Sequence, residues 1–253
     1  MIPTETGRHA GGPGSSSCRS LSCPTSFLFA ISGPCGALLA RPPTARAISG
    51  SGPIPWPMRE LLQALDTRLL LWVNGHHNSW GDALMWWASQ TFTWVPFYAA
   101  LLALLAVRFR RRAWLLLPLI AVLILLSDQV SASLFKPWFQ RLRPSHEPGL
   151  TNQLRLLHAY RGGTYGFVSS HASNVFALAF FLYFTARRRL PWLPWVLFPW
   201  ATLVAYSRVY LGVHYPSDVL VPVLVSIPLA YTVSQFYAWG EARLMPPVPP
   251  AST

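Results

Sequence analysis

Lysine is nearly missing from this chain: Lys136 stands alone beside nineteen arginines in 253 residues. Charge of either sign is scarce. Asp, Glu, Lys and Arg together make up 11 % of the residues, against about 25 % in an ordinary soluble domain. That deficit excludes a fold kept in solution by a charged surface. Cysteine is confined to Cys18, Cys23 and Cys35. The rest of the chain can therefore build neither a disulfide framework nor a thiolate metal cluster. No internal repeat is visible, which sets aside solenoids and propellers.

Long apolar runs take the place of the missing charge, over residues 94–107, 114–126, 172–186, 192–206 and 219–237. Some fall short of the roughly 20 residues a membrane span needs, and each lengthens when its uncharged neighbours are counted. The pattern predicts an all-α bundle of transmembrane helices with spans over 82–107, 113–135, 172–186, 191–206 and 217–239. Residues 58–73 place Leu61, Leu62, Leu65, Leu69 and Trp72 at helical spacing. They read as an amphipathic helix on the membrane surface, or as a sixth span if it inserts. Trp86, Trp87, Trp138, Trp192, Trp195 and Trp239 sit near span ends, as interfacial belts do. Residues 1–57 are rich in Gly, Pro and Ser and predict disorder. Within them, 27–40 followed by Ala45-Arg46-Ala47 resembles a signal-peptide core and cleavage site. On a second reading, Met58 is the biological start. The membrane domain is placed at 58–240 and a disordered tail at 241–253.

The net charge of +12 suits a nucleic-acid binder at first sight, but its distribution does not. Arg108, Arg110, Arg111 and Arg112 form one cluster between apolar runs, and Arg187, Arg188 and Arg189 another. Arginine clusters in short loops mark the cytoplasmic side, and an even number of predicted spans separates the two. Lys136, Arg141, Arg143, Arg155 and Arg161 then fall on the opposite, periplasmic or extracellular face of the cell (inner) membrane, where positive charge is disfavoured. Cations kept there call for an anion to bind. No interleaved aromatic-basic motif points to nucleic acid.

Three polar segments carry the chemistry. Lys136 is followed by Arg143-Pro144, then by Ser169-Ser170-His171, then by Ser207-Arg208, His214 and Asp218. Phosphoryl transfer builds charge on the equatorial oxygens, and fixed cations stabilise it. Arginine offers a planar fork and lysine a point charge. Ser169-Ser170-His171 leads into an apolar helix, whose N-terminus presents free N–H groups to an anion. His214 and Asp218 stand four apart around Pro216, so a carboxylate can orient the ring and leave its other nitrogen free to attack. Asp128 lies inside a predicted span, where an ionisable side chain is a functional candidate by default. It is placed to pair with Arg141 or Arg143. His146, Glu147 and His158 are loop residues within reach of a headgroup.

Together these segments resemble the three signature motifs of the type 2 phosphatidic acid phosphatase family, whose fold also serves vanadium haloperoxidases. The family's usual Pro-Ser-Gly-His appears here as Val168-Ser169-Ser170-His171. The resemblance spans about residues 82–239. It implies that His214 attacks phosphorus to form a phosphohistidine, Asp218 holds His214, and His171 protonates the leaving group. Lys136, Arg143, Ser169, Ser170 and Arg208 would cradle the phosphate, with Asp128, Arg141 and Ser207 supporting them from behind. No metal or other cofactor is implied. The function this implies is hydrolysis of a membrane lipid phosphate or diphosphate at the non-cytoplasmic face. Undecaprenyl diphosphate comes first, as it does for bacterial undecaprenyl-diphosphatases. Lipid A and phosphatidylglycerol phosphate are the alternatives. Vanadate-dependent halide oxidation and lipid binding without catalysis remain as other classes.

Arginine serves as the anchor everywhere else in this chain, so a lone lysine signals a specific contact. Lys136→Arg is expected to cut phosphate release severely while leaving membrane insertion normal, as read from activity and membrane fractionation of the same preparation.

Overall fold

A computed structural model describes residues 56–244, all of whose regular elements are helical. The extension placed at 1–57, apart from Trp56 and Pro57, lies outside the described residues, as do 245–253. The chain runs through α1 (Trp56–Gly75), α2 (Ser79–Ser89), α3 (Val95–Phe109), α4 (Ala113–Gln129), the short α5 (Lys136–Phe139), α6 (Ser170–Ala186), α7 (Leu193–Tyr210) and α8 (Pro216–Leu244). Between α5 and α6 the chain forms short 3-10 turns and one isolated antiparallel bridge, Leu142 to Tyr165.

Two helical stretches, Thr91–Phe139 and Pro216–Leu244, are long and apolar enough to cross a membrane. The first folds back on itself at Arg110, whose φ of 50° breaks the helix between α3 and α4. The predicted span over 82–107 is not continuous. Gln90 is extended (φ −81°, ψ 127°), separating α2 from a 3-10 turn, Thr91–Trp94, and from α3. Two contacts fix this break. The Trp94 indole donates to the Ala88 carbonyl at 2.8 Å. Asp82 is held by both guanidinium nitrogens of Arg155, at 2.6 and 2.5 Å, and by the Tyr210 hydroxyl at 2.9 Å. A carboxylate bound on three sides fastens α2 beneath the polar loops. Pro96, in the first turn of α3, is compatible with a fresh helix start there.

α6 is the axis of the bundle, packed between α4, α7 and α8 and buried along most of its length. A hydroxyl ladder ties it to its neighbours. Ser127 and Ser173 share a hydrogen bond at 2.8 Å between α4 and α6, and the Ser226 hydroxyl of α8 donates to the Ser173 carbonyl at 3.1 Å. Outward positions are apolar, among them Leu125, Leu220, Leu224 and Phe236.

α3, α4, α6, α7 and α8 all link two chemically distinct ends. At one end Glu241 pairs with Arg112 at 2.9 Å and lies 3.6 Å from Arg189, while Arg108 donates to the Arg189 carbonyl at 3.5 Å. α8 continues to Leu244, and Glu241 ties its last turns to two arginine clusters. The other end carries all three motif segments. α1 presents an inverted amphipathic pattern there. Leu61, Leu62, Leu65, Leu69 and Trp72 are exposed, while Asp66, Leu70 and Asn74, one turn apart, face the bundle.

α8 approaches α4 closely at Gly240, where an added Cβ would sit 2.7 Å from Leu115 Cδ2. Gly240→Leu is expected to cost about 1–3 kcal/mol by overpacking, seen as a lowered thermal midpoint of the detergent-solubilised protein.

Candidate active site

Four helix ends and one loop converge at the polar end. Lys136 follows a π-helical turn, Val130–Phe135, a widened geometry common at functional sites. Its Nζ donates to Ser170 Oγ at 3.0 Å. Arg143 is buried on the loop after α5. Its backbone N–H donates to Thr164 O at 3.0 Å and its Nε to Tyr165 O at 3.3 Å. Gly162, at φ +68°, curls the loop so tightly that a Cβ would fall 2.8 Å from Arg143 Nη1. Arg208 is buried at the end of α7 and bonds the Ser89 hydroxyl and the Tyr160 hydroxyl, the latter at 3.2 Å.

His214 is buried on the turn between α7 and α8. Arg143 Nη1 lies 2.8 Å from its Nε2. Guanidinium only donates, so Nε2 must accept, and the neutral ring carries its proton on Nδ1. Asp218 Oδ2 lies 3.4 Å from that nitrogen. The approach is off the hydrogen-bond direction, and Nδ1 makes no hydrogen bond. Oδ2 accepts instead from the Tyr215 backbone N–H at 3.1 Å, and Oδ1 from Arg141 Nη1 at 2.9 Å. Burial, reinforced by the charges of Arg143, Arg208 and Lys136, holds the His214 imidazole well below the ordinary histidine value. Burial and the neighbouring Arg208 bring Arg143 down to about 10, which leaves it cationic at neutral pH.

Besides His214 Nδ1, two buried polar atoms here have no partner: Ser169 Oγ and Arg208 Nε. Buried polar groups are nearly always satisfied, so the pair marks where a ligand's oxygens belong. Ser169 is the residue before α6, with its hydroxyl not engaged in capping. The first N–H groups of α6 face the same space without intrahelical partners. His171 sits in that first turn, and its ring walls a small cavity. The arrangement supplies three cations, a helix N-terminus, a neutral imidazole beside a carboxylate and a second imidazole. Among the described residues no cluster of His, Cys, Asp or Glu suits a metal ion.

Not every candidate from the sequence joins this group. Ser207 donates to the Val204 carbonyl at 2.7 Å, within its own helix. Arg141 and Arg155 are neutralised by carboxylates, Asp66 with Asp218 for the first and Asp82 for the second. Both are thus committed to carboxylates rather than left as free cations for an anion. Asp128 pairs with neither Arg141 nor Arg143, because both are already committed to partners within the polar cap. Arg161 and His158 are exposed, and the His158 ring lies against Trp86, with 4.5 Å between ring centroids.

Sequence reasoning missed Asp66. It accepts from Arg141 Nη2 at 2.6 Å and from the Ser217 backbone N–H at 2.9 Å, and it also bonds the Ser217 hydroxyl. Arg141, stacked 3.9 Å over the Tyr215 ring, thus bridges α1 to Asp218. The signal was present: Asp66, Leu70 and Asn74 form an i, i+4, i+8 stripe opposite the leucines. Asn74 is equally structural. Its side chain donates to Arg155 O at 3.0 Å and Tyr210 O at 2.8 Å and accepts from Arg155 N–H at 2.9 Å.

Comparison with known proteins gives consistent results. The sequence profile of the PAP2 superfamily matches residues 115–241. A lipid A 4'-phosphatase of Porphyromonas gingivalis is 31 % identical over 185 residues, covering 73 % of this chain and 78 % of the relative. One of Bacteroides thetaiotaomicron is 38 % identical over 170 residues, covering 66 % and 75 %. The crystal structure of Aquifex aeolicus LpxE superposes with a TM-score of 0.52 at 23 % identity, over 68 % of this chain and 95 % of that one. A PAP2-type phosphatidylglycerolphosphate phosphatase from Bacillus subtilis gives 0.52 at 22 % identity, over 71 % and 87 %.

Asp66 is linked through Arg141 to Asp218, the carboxylate beside His214. Asp66→Asn is expected to lower kcat about 10- to 100-fold, the range seen when a supporting partner behind a ligand is removed, with KM nearly unchanged. The measurement is steady-state phosphate release, with Asp66→Glu recovering part of the loss.

Proposed function

The chain belongs to the PAP2 superfamily and is a membrane lipid phosphatase; from that premise we propose that it removes a phosphate from lipid A. One observation carries the chemical part of the reading. Two orphaned buried polar atoms, Ser169 Oγ and Arg208 Nε, lie in a site whose cations Lys136, Arg143 and Arg208 have no carboxylate partner among the described residues. A tetrahedral dianion satisfies both needs at once. Both curated relatives are lipid A 4'-phosphatases, which moves the reading away from undecaprenyl diphosphate.

In the proposed reaction His214 Nε2 leaves its contact with Arg143 and bonds to phosphorus as the P–O bond to the lipid breaks. His171 gives its proton to the departing oxygen. Lys136, Arg143, Arg208, Ser169 and the first N–H groups of α6 hold the three equatorial oxygens as charge builds on them. Asp218 stabilises the ring while it carries the phosphoryl group. Water, deprotonated by His171, then attacks the phosphohistidine and frees His214. No step requires a metal.

The two ends of the bundle support a topology. The arginine clusters around Glu241 suit the cytoplasmic side, which supports a site at the periplasmic face of the inner membrane. α3, α4, α6, α7 and α8 would be the five spans, and α1 would rest its exposed leucines in the lipid interface.

Phosphate release from lipid A, phosphatidylglycerol phosphate, phosphatidic acid and undecaprenyl diphosphate tests the reading. The highest kcat/KM is expected for lipid A, and His214→Ala should lose on the order of 10⁴-fold or more, as removal of a nucleophile does. A preference for undecaprenyl diphosphate would overturn the substrate, and an active His214→Ala would overturn the nucleophile.

A further inference from the structure

A cavity of about 170 Å³ opens beside the site, between α2, α3, α4 and α6. His171 and Ser170 form one wall, and Asp128, Asn174, Gln90 and Thr91 are among its other polar residues, with Ser89, Trp94 and Tyr98 completing the polar lining. Asp128 makes no hydrogen bond or ion pair among the described residues, unlike Asp66, Asp82, Asp218 and Glu241, each of which holds an arginine. The Asn174 amide oxygen is buried and has no partner either. Two acceptors on its wall, Asp128 and the Asn174 amide oxygen, are therefore met by no donor among the described residues. It shares Thr91, Tyr98 and Asn174 with an apolar groove of about 340 Å³, walled further by Leu101, Ile120 and Ile124. Its occupant is accordingly polar at one end and apolar at the other.

Resting on the phosphatase reading above, we propose that this cavity seats the leaving group. Asp128 and Asn174 there select phosphate monoesters whose leaving alcohol carries hydroxyl or N–H donors close to the phosphate, and select against diphosphates. The acid that protonates the leaving oxygen must touch it. His171 is that acid in the scheme, so the first atoms of the leaving group lie against His171, in the cavity it walls. A carboxylate is an acceptor only. It rewards a hydroxyl and repels a second phosphate, and the apolar surroundings weaken screening of that repulsion. A diphosphate would leave as a phosphate anion beside Asp128. A sugar or glycerol unit would leave as a donor-bearing alcohol. An unpaired buried acceptor discriminates strongly against ligands that cannot satisfy it.

The test compares phosphatidylglycerol phosphate, which has a hydroxyl beside its terminal phosphate, with phosphatidic acid, which has none, and with undecaprenyl diphosphate. Wild type, Asp128→Asn and Asn174→Leu are assayed as full-length protein in detergent. In each variant the kcat/KM ratio of phosphatidylglycerol phosphate to phosphatidic acid is expected to fall at least tenfold, mainly through KM. Asp128→Asn should also raise undecaprenyl diphosphate hydrolysis relative to phosphatidic acid. An unchanged ratio, or an equal loss on all three substrates, overturns the inference while the phosphatase reading stands. Wild-type protein that releases phosphate from none of these lipids, nor from lipid A, overturns both.

Discussion

The structure depends on keeping positive charge buried without a counter-ion. Arg143 and Arg208 are buried beside His214, and Lys136 reaches the same space through Ser170. Removing a charge from water costs on the order of several kcal/mol per ion even after relaxation, and these cations also repel one another. A fold tolerates this only where something holds them from behind. Serine hydroxyls, backbone carbonyls and the Tyr160 hydroxyl do so here. Carboxylates would hold them better and would also fill the site. Their exclusion from the cradle keeps it able to take a phosphate.

The acidic residues are instead placed one layer out. Asp82 fixes Arg155 and α2, Asp66 fixes Arg141 and α1, and Asp218 stands between Arg141 and His214. These pairs bind the segments that carry no motif to those that do. The loop from α5 to α6 is fastened through Arg155 and Asn74 at one point and through Arg143 at another. The neutral state of His214 follows from the same arrangement. Burial and the cations of the cradle both disfavour a proton on the ring, so in the proposed reaction the imidazole is unprotonated and ready to attack.

Much of this was legible in the sequence, and for identifiable reasons. Lys136, Arg143, Ser169, Ser170, His171, Arg208, His214 and Asp218 occur at spacings that a phosphate site needs, and the structure gathers them at one end of the bundle. The two ends were legible because arginine clusters in short loops report charge asymmetry directly. The break at Gln90 was not, since hydropathy continues across it; the tether of Asp82 to Arg155, a partner 73 residues away, decides it. Asp66 was hidden because the conspicuous leucines of α1 were taken as the informative face. In a lipid-facing helix the sparse polar stripe is the one that points inward, the reverse of a soluble amphipathic helix. For Arg141 and Arg155 the sequence reports the end of the bundle they occupy but not the carboxylates 75 and 73 residues away that hold them.

The lone lysine can now be explained. Arg143 and Arg208 approach as planar forks held in fixed orientation by several partners each. Lys136 emerges from a widened helical turn with a single tether, the Ser170 hydroxyl at 3.0 Å. That hydroxyl sits on the first turn of α6, next to His171, at the edge of the cavity where the proposed leaving group lies. A compact ammonium on a flexible stem can move from Ser170 to a phosphate oxygen and follow it as the bond to phosphorus changes. A guanidinium at the same place would need a planar acceptor pair and would reach further, toward Arg208 and His171. In the proposed reaction, the lysine answers the need for one mobile point charge in a cradle whose other cations are held by several partners each.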